Sequence, residues 1–247
     1  MPTSNIYIIP TVIETVKRLK PGSILDFGIG FGKYGFLIRE YLDVQRLLKG
    51  FSGNLSDNFV TKIDGIEINS RYVCEIQRRI YNQIYIGDGI KIIDTLGTYD
   101  VVLLLDVLEH FTKEEGFILL EKIYKKVAGT LVIVTPAFEY KQDEIYDNKN
   151  EKHLSVWKVK DFSKYANLQY KIICGGEVLL ILIHKNSSSL RIPFLGDWRA
   201  GGYLLKELMD ISFEISARVI RKSWRLLKNL KKIKHKKQKE AQFLCQK

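Results

Sequence analysis

Between Tyr99 and Leu105 the chain reads Tyr-Asp-Val-Val-Leu-Leu-Leu, and between Thr130 and Val134 it reads Thr-Leu-Val-Ile-Val. Neither run alternates polar with apolar side chains, so neither suits a strand with one face in water. Both suit strands covered on both faces, as in a parallel sheet whose crossovers are helices. The rest of the chain supplies those crossovers. Pro10 opens a predicted helix over Thr11 to Leu19, with Val12, Ile13, Val16 and Leu19 on one face and Pro21-Gly22 as its stop. A short apolar run, Ser23 to Phe27, leads through a glycine cluster into a helix from about Lys33 to Leu48. Lys49 to Thr61, with Gly50, Gly53, Asn54, Asp57 and Asn58, reads as an inserted loop. Next come a strand over Lys62 to Ile68, a helix over Ser70 to Tyr81, a strand over Ile84 to Ile86 and a helix near Gly89 to Leu96. Thr112 caps a helix carrying Ile118, Leu119 and Ile123. Leu168 to Cys174 and Glu177 to His184, joined by Gly175-Gly176, predict a β-hairpin. The expected architecture is α/β: a seven-stranded, mostly parallel sheet with helices on both faces, closed by an antiparallel hairpin.

Composition narrows the setting. No run of about 18 or more apolar residues reads as a membrane span, and Met1 to Pro10 lacks the basic start of a secretory signal. Cys74, Cys174 and Cys245 are scattered without Cys-x-x-Cys spacing, which fits a reducing cytoplasm better than a disulfide or zinc framework. The formal charge is +11, but the segment from Ser216 to Glu240 alone carries +10 of it. The main domain is therefore close to neutral, and any attraction to polyanions belongs to the tail.

Asp26-Phe27-Gly28-Ile29-Gly30-Phe31-Gly32 follows the first strand directly and enters a helix. In an open α/β sheet, ligands bind beyond the carboxyl ends of the strands, and glycines there let a ligand approach the backbone. Gly30-x-Gly32-x-x-Gly35 also satisfies the dinucleotide fingerprint. Against that reading stand Asp26, an acid that a pyrophosphate would not favour, and the terminal hairpin, which a plain nucleotide fold does not require.

The segment Ile-Leu-Asp-Phe-Gly-Ile-Gly-Phe-Gly-Lys-Tyr-Gly, residues 24–35, resembles the first motif of class I S-adenosylmethionine-dependent methyltransferases, a Rossmann-like family. Further segments follow in that family's order, over about residues 10–184. The resemblance implies S-adenosylmethionine as cofactor, with Asp26, Gly28, Gly30 and Gly32 in the glycine loop. It implies Glu67, at the end of Ile63-Asp64-Gly65-Ile66-Glu67-Ile68, as the acid on the ribose hydroxyls. It also implies Asp88 facing the adenine amino group and Asp106, within Tyr99 to Phe111, near the methionyl part. Ala128 to Pro136 resembles the fifth-strand signature. One departure is that Glu67 lies 41 residues after Asp26, about twice the usual offset of about 20. The loop over Lys49 to Thr61 accounts for the excess.

Methyl transfer from a sulfonium needs donor and acceptor held in line, and a base only where the acceptor carries a proton to be lost. Four histidines are present, and two are candidate catalytic residues. His110 follows the fourth strand on the rim where the methyl group is expected; a structural hydrogen bond is its other reading. His153 lies in Asn150 to Trp157, after the fifth strand, where such folds place acceptor-facing loops. Its segment reads equally as a helix start capped by Ser155 with Trp157 packed locally. Asp143, Glu144 and Asp147 are read as a solvated loop, since only one histidine joins them, so no metal is expected.

The expected organisation is a cofactor-binding domain over 1–186, a linker over 187–202 and a basic amphipathic helix over 203–247. The linker is rich in serine, glycine and proline. In the arm, Leu205, Leu208, Met209, Ile220, Trp224, Leu227 and Leu230 recur at helical spacing opposite a cationic face. Residues 203–240 suit an anionic membrane surface first, then a protein partner, with RNA ranked behind both. The leading expectation is a cytoplasmic methyltransferase of a small-molecule, glycan or lipid-linked acceptor, peripheral at the membrane through its arm. The alternatives are an NAD-dependent enzyme on the same glycine loop and a non-catalytic binding module with the same fold.

Overall fold

The computed structural model describes residues 5–44, 59–145, 148–187 and 191–192. These belong to the first of two units into which the chain divides, Met1–Trp198; the second is Arg199–Lys247. The predicted linker beyond 192 and the arm over 203–247 lie outside the described residues. So do residues 45–58, which hold most of the inserted loop, and Asp147.

Seven strands form one sheet: β1 (Ser23–Phe27), β2 (Lys62–Glu67), β3 (Gln83–Ile86), β4 (Tyr99–Leu105), β5 (Val127–Pro136), β6 (Leu168–Ile173) and β7 (Val178–His184). Their order is β3-β2-β1-β4-β5-β7-β6. The first five strands are parallel, with Phe27 opposite Ile66 on one side and Leu104 on the other. β7 runs antiparallel to both β5 and β6. The chain moves outward from β1 through β2 to β3 and returns to β4 on the far side of β1. The switch point of the sheet therefore lies between β1 and β4.

The pleat divides the core in two. Leu25, Phe27, Val102, Leu104, Leu131 and Ile133 face one apolar layer. Ile24, Val101, Leu103, Val132 and Val134 face the other. The first layer packs on helices α4 (Gly89–Thr95) and α5 (Lys113–Lys126) through Ile93, Leu119 and Ile123. The second packs on α1 (Ile9–Leu19) and α2 (Lys33–Ile38) through Val12, Val16 and Ile38. Helices on both sides explain why β4 needed no polar face: every residue from Val101 to Leu105 is buried. Edge strand β6, in contrast, leaves Tyr170 and Ile172 exposed.

Local signals match local structure at several ends. Thr112 caps α5 in a reciprocal box with Glu115: the Glu115 N–H donates to Thr112 Oγ1 at 3.3 Å and the Thr112 N–H to Glu115 Oε2 at 3.1 Å. Lys20, at φ 50°, ends α1 just before Pro21-Gly22.

Three elements differ from expectation. The helix after the glycine loop is α-helical only to Ile38 and then widens into a π-helical stretch, Arg39–Val44. There Arg39, buried, donates to Asp43 Oδ2 at 2.7 Å, Asn82 Oδ1 at 2.7 Å, the Ile80 carbonyl at 2.9 Å and the Thr61 carbonyl. Asp43 Oδ1 in turn accepts from the Thr61 N–H at 3.1 Å and Thr61 Oγ1 at 3.0 Å. The two ends of the insertion are thus clipped together. The helix expected over Ser70–Tyr81 breaks into a single turn, Ser70–Tyr72, and α3 (Glu75–Ile80), with Val73 and Cys74 extended. Gln77 holds the break: its Oε1 accepts from the Cys74 N–H, and its Nε2 donates to the carbonyls of Tyr72 and Phe31. The hairpin turn needs three positive φ angles, not two, at Cys174 (58°), Gly175 (69°) and Gly176 (95°).

Candidate functional site

All seven cofactor residues named from sequence map to the carboxyl ends of β1 to β4 or the loops that follow. The glycine loop leaves β1 and docks on β2: the N–H groups of Gly28 and Ile29 both donate to the Ile66 carbonyl, at 2.9 and 3.1 Å. Gly28, Gly30 and Gly32 have φ of 79°, 52° and 78°, the left-handed region where a side chain is strained. At Gly28 space is also short, since a Cβ would stand 2.6 Å from Val107 Cγ2. The loop therefore packs directly against the chain leaving β4.

Glu67, at the end of β2, is fixed from two directions. Its Oε2 accepts from the Gly30 N–H at 2.8 Å and its Oε1 from the Asn69 N–H at 2.9 Å. It is buried, which raises its pKa, while those two N–H bonds pull the other way. Each oxygen keeps a second lone pair for a ligand. The long separation from Asp26 has not displaced it.

Asp26 lies beneath the loop and accepts a hydrogen bond from the Tyr81 hydroxyl at 2.7 Å. That hydroxyl accepts in turn from the Gly35 N–H at 3.2 Å. Burial lifts Asp26 from the ordinary 3.8 to about 6; the Tyr81 bond opposes the rise and the nearby Glu67 charge adds to it. Asp88 is at the rim, where its Oδ1 caps α4 by accepting from the Ile90 N–H at 3.0 Å. Asp106 follows β4 in the left-handed region, at φ 53°. Its charge acts on Lys33, whose half-buried ammonium is lowered mainly by desolvation. Ile68, directly after Glu67, is 48% exposed, an apolar surface beside the acid.

The two histidines named from sequence are brought together although 43 residues separate them: their ring centroids are 5.0 Å apart, edge to face. His110 ends a short turn, Leu108–His110, that leaves β4. His153 arrives on the segment after β5, which crosses back over the carboxyl edge. Leu154 and Ser155 both donate backbone N–H groups to the Glu109 carbonyl, at 2.7 and 3.1 Å. Each ring has Nδ1 on a backbone carbonyl: His110 on Lys152 at 3.2 Å and His153 on Tyr140 at 2.7 Å. A carbonyl can only accept, so Nδ1 carries a proton in both rings, which makes Nε2 the acceptor nitrogen of a neutral ring. Burial lowers His110 to about 4, so its ring is neutral near pH 7.

Sequence reasoning assigned no role to Glu109. It is buried, accepts from Thr135 Oγ1 at 3.0 Å, and is held well above the usual carboxylate range by burial and by the charge of Asp106. Its partners are distant in sequence, so only its place beside His110 could have pointed to it. Also missed was the post that carries the crossing segment. The Tyr72 hydroxyl donates to Glu151 Oε1 at 3.0 Å, and Asn148 Nδ2 donates to both groups at 3.1 Å. Tyr72 also packs on Phe31 of the glycine loop, with centroids 5.0 Å apart.

Ser155 and Trp157 resolve differently from His153. Ser155 caps no helix; its Oγ donates to the Leu108 carbonyl at 3.4 Å. Trp157 is fully buried, donates Nε1–H to the same carbonyl at 3.0 Å, and packs on Phe117 and Phe162. It is a core residue that pins the segment. Asp143 and Glu144 are exposed.

No family model and no curated protein matches the chain. Solved structures do. A proposed O-methyltransferase from Nostoc punctiforme is 15% identical, with a TM-score of 0.50 over 73% of this chain; the chain spans 57% of that protein's length. The N-terminal domain of EvdMO1, crystallised in the presence of S-adenosylhomocysteine and D-fucose, is 15% identical, with a TM-score of 0.48 over 72% of this chain and 83% of that one. The magnesium protoporphyrin IX methyltransferase of Synechocystis, with bound S-adenosylhomocysteine, is 15% identical, with a TM-score of 0.44 over 75% and 90%. At such identities the likeness is one of fold. The chain has the class I S-adenosylmethionine-dependent methyltransferase fold.

Proposed function

We propose that the chain is an S-adenosylmethionine-dependent methyltransferase acting on a small-molecule, glycan or lipid-linked acceptor. The observation that carries this reading is the buried carboxylate pair at the glycine loop. Asp26 lies beneath the loop and Glu67 is bonded to Gly30 within it. A sulfonium ligand with an ammonium group is cationic and suits this environment, whereas a dinucleotide pyrophosphate would add negative charge to it. That ranks the NAD-dependent alternative second.

The residues present fit the donor. The glycine loop brings bare backbone to the edge of the sheet, at φ angles that a side chain would strain. Glu67 would take the ribose hydroxyls with its remaining lone pairs. Asp88 would meet the adenine amino group at the rim, Ile68 would offer an apolar surface to the base, and Asp26 and Asp106 would lie toward the methionyl part. When bound, S-adenosylmethionine supplies an electrophilic methyl group. The chain's own work is to hold the acceptor in line and to take its charge or proton. His110 and His153, with Nδ1 anchored and Nε2 open, are the groups able to do so. Phe138, Tyr140 and Leu154, all about half exposed on the crossing segment, offer it an apolar wall.

The test is calorimetry of S-adenosylmethionine, S-adenosylhomocysteine and NAD on wild type and Glu67→Gln. Wild type is expected to bind the first two and ignore NAD. Glu67→Gln should lose roughly 1–3 kcal/mol of donor affinity, because one amide oxygen replaces two charged acceptors. Binding of NAD alone would overturn the reading, and retained adenosyl binding without any methyl acceptor would favour a binding module.

A further inference from the structure

Glu109, His110 and His153 meet on the acceptor side of the edge, with one ligand atom from each lying within 4.8 Å of the others. A single proton acceptor does not need this convergence. One imidazole would suffice, and a second ring with its own anchoring carbonyl adds nothing to proton removal. Two imidazoles and a carboxylate are, by contrast, a complete protein ligand set for a divalent transition metal with positions left open.

The surroundings support that use. Metal-binding histidines characteristically donate the second ring N–H to a carbonyl or carboxylate, which fixes the tautomer and aims the other nitrogen. Both rings meet that condition, through Lys152 and Tyr140. Glu109 is steadied by Thr135 at Oε2, which leaves Oε1. The three residues come from both sides of the edge: Glu109 and His110 follow β4, His153 sits on the crossing segment, and Leu154 and Ser155 fasten that segment to Glu109. A cation about 2.1 Å from each ligand sets ligand atoms roughly 3–3.5 Å apart, so the side chains must close by about 1.8 Å at most. Side-chain rotation covers that distance. From sequence, Asp143, Glu144 and Asp147 offer a metal only one histidine; the second, His110, comes from the turn after β4.

We propose that Glu109, His110 and His153 bind one divalent cation of the zinc, cobalt, nickel and iron class. Imidazole ligands favour that class over magnesium and calcium. The binding itself does not depend on the methyl-transfer reading. If that reading holds, the open positions would take an acceptor oxygen, and the cation rather than a free imidazole would stabilise its negative charge. Hydroxyl-bearing acceptors are then expected over amines.

The protein, stripped with a chelator, would be titrated with Co2+ followed by visible absorption and with Zn2+ followed by calorimetry. One equivalent per chain is expected, with d–d absorption of a histidine-containing site. His153→Ala and His110→Ala should each weaken it at least ~100-fold, while Asp143→Asn leaves it unchanged. Wild type that takes up no cation at micromolar concentration overturns the proposal. So does uptake unaltered in His153→Ala and His110→Ala, which would place the cation elsewhere on the chain. If thermal melting shows that an alanine variant has not folded, Glu109→Gln, which keeps an acceptor for Thr135, serves in its place. S-adenosylhomocysteine binding is measured in parallel without metal. Donor binding with no metal uptake sinks this inference alone, and metal uptake with no donor binding sinks the proposed function alone.

Discussion

On the β1–β2 side of the carboxyl edge, Glu67 is held by backbone N–H groups of the loops that leave β1 and β2, and Asp26 by the Tyr81 hydroxyl. On the β4–β5 side, the imidazoles and Glu109 are held by carbonyls and a hydroxyl from segments 13 to 42 residues away. The first arrangement is made as soon as two adjacent parallel strands pair. The second exists only once the segment after β5 has crossed back and been pinned by Trp157 and Tyr72. On the proposed function, a donor common to many reactions would be met by the part of the site that the sheet itself fixes. The acceptor would be met by the part that loop packing fixes, and loops are where such folds vary their chemistry.

The separation can be broken first at its joint. Gly28→Ala combines a left-handed φ with a Cβ 2.6 Å from Val107, and should cost about 2–4 kcal/mol of stability together with donor binding. Urea unfolding and calorimetry would check this; a variant that binds the donor normally would show that the loop has room to spare. Next is Asp26, lifted from 3.8 to about 6. The folded state holds this proton more tightly than the unfolded chain. Its contribution to stability is therefore complete below pH 4 and is lost as pH rises through 6, by roughly 2–3 kcal/mol. Asp26→Asn should remove that part of the slope between pH 4 and 7, and equal slopes for both proteins would locate the effect elsewhere. On the acceptor side, Gly116→Ala would place a Cβ 2.4 Å from Trp157. A loss of about 1–2 kcal/mol is expected after the gain in helix propensity, with donor affinity unchanged. A parallel fall in donor affinity would mean that the two sides are coupled.

The smallest expected effect on the domain comes from the basic arm. Truncation after Ile192, which keeps that residue's packing on the core, should leave donor affinity as it is. It should abolish pelleting with anionic vesicles, to which each basic residue near the surface contributes about 1 kcal/mol, fading with salt. Full-length protein that ignores vesicles would remove the membrane reading.

The same contrast explains what could be read from the sequence. Strand count, parallel order and the closing hairpin were legible because each depends on local periodicity and turn residues: Tyr99 to Leu105 can be little else. The glycine loop was legible because a fixed spacing of acid and glycines follows one strand, whereas Glu67, at about twice the usual offset, was picked out only as the acid ending the next strand. Glu109 was not, since its hydroxyl and backbone partners, Thr135, Leu154 and Ser155, are fixed by tertiary packing. Trp157 could not be told from a ligand contact, because burial is a property of the whole fold. The break at Val73 and the π-helical turn at Arg39 were hidden for a like reason. Gln77, Asp43 and Thr61 override helix propensity with side-chain bonds that only the folded chain assembles.

The clip of Arg39, Asp43 and Thr61 has a consequence for how this chain could change. By tying residue 43 to residue 61, it makes the path between them a detachable module, whose length the β-sheet does not sense. Closing a loop twice as long costs only about 0.6 kcal/mol more. Insertions, deletions or a transplanted sequence between the two ends should therefore leave Glu67 and the donor site in place. New specificity could be added there without retuning the cofactor chemistry.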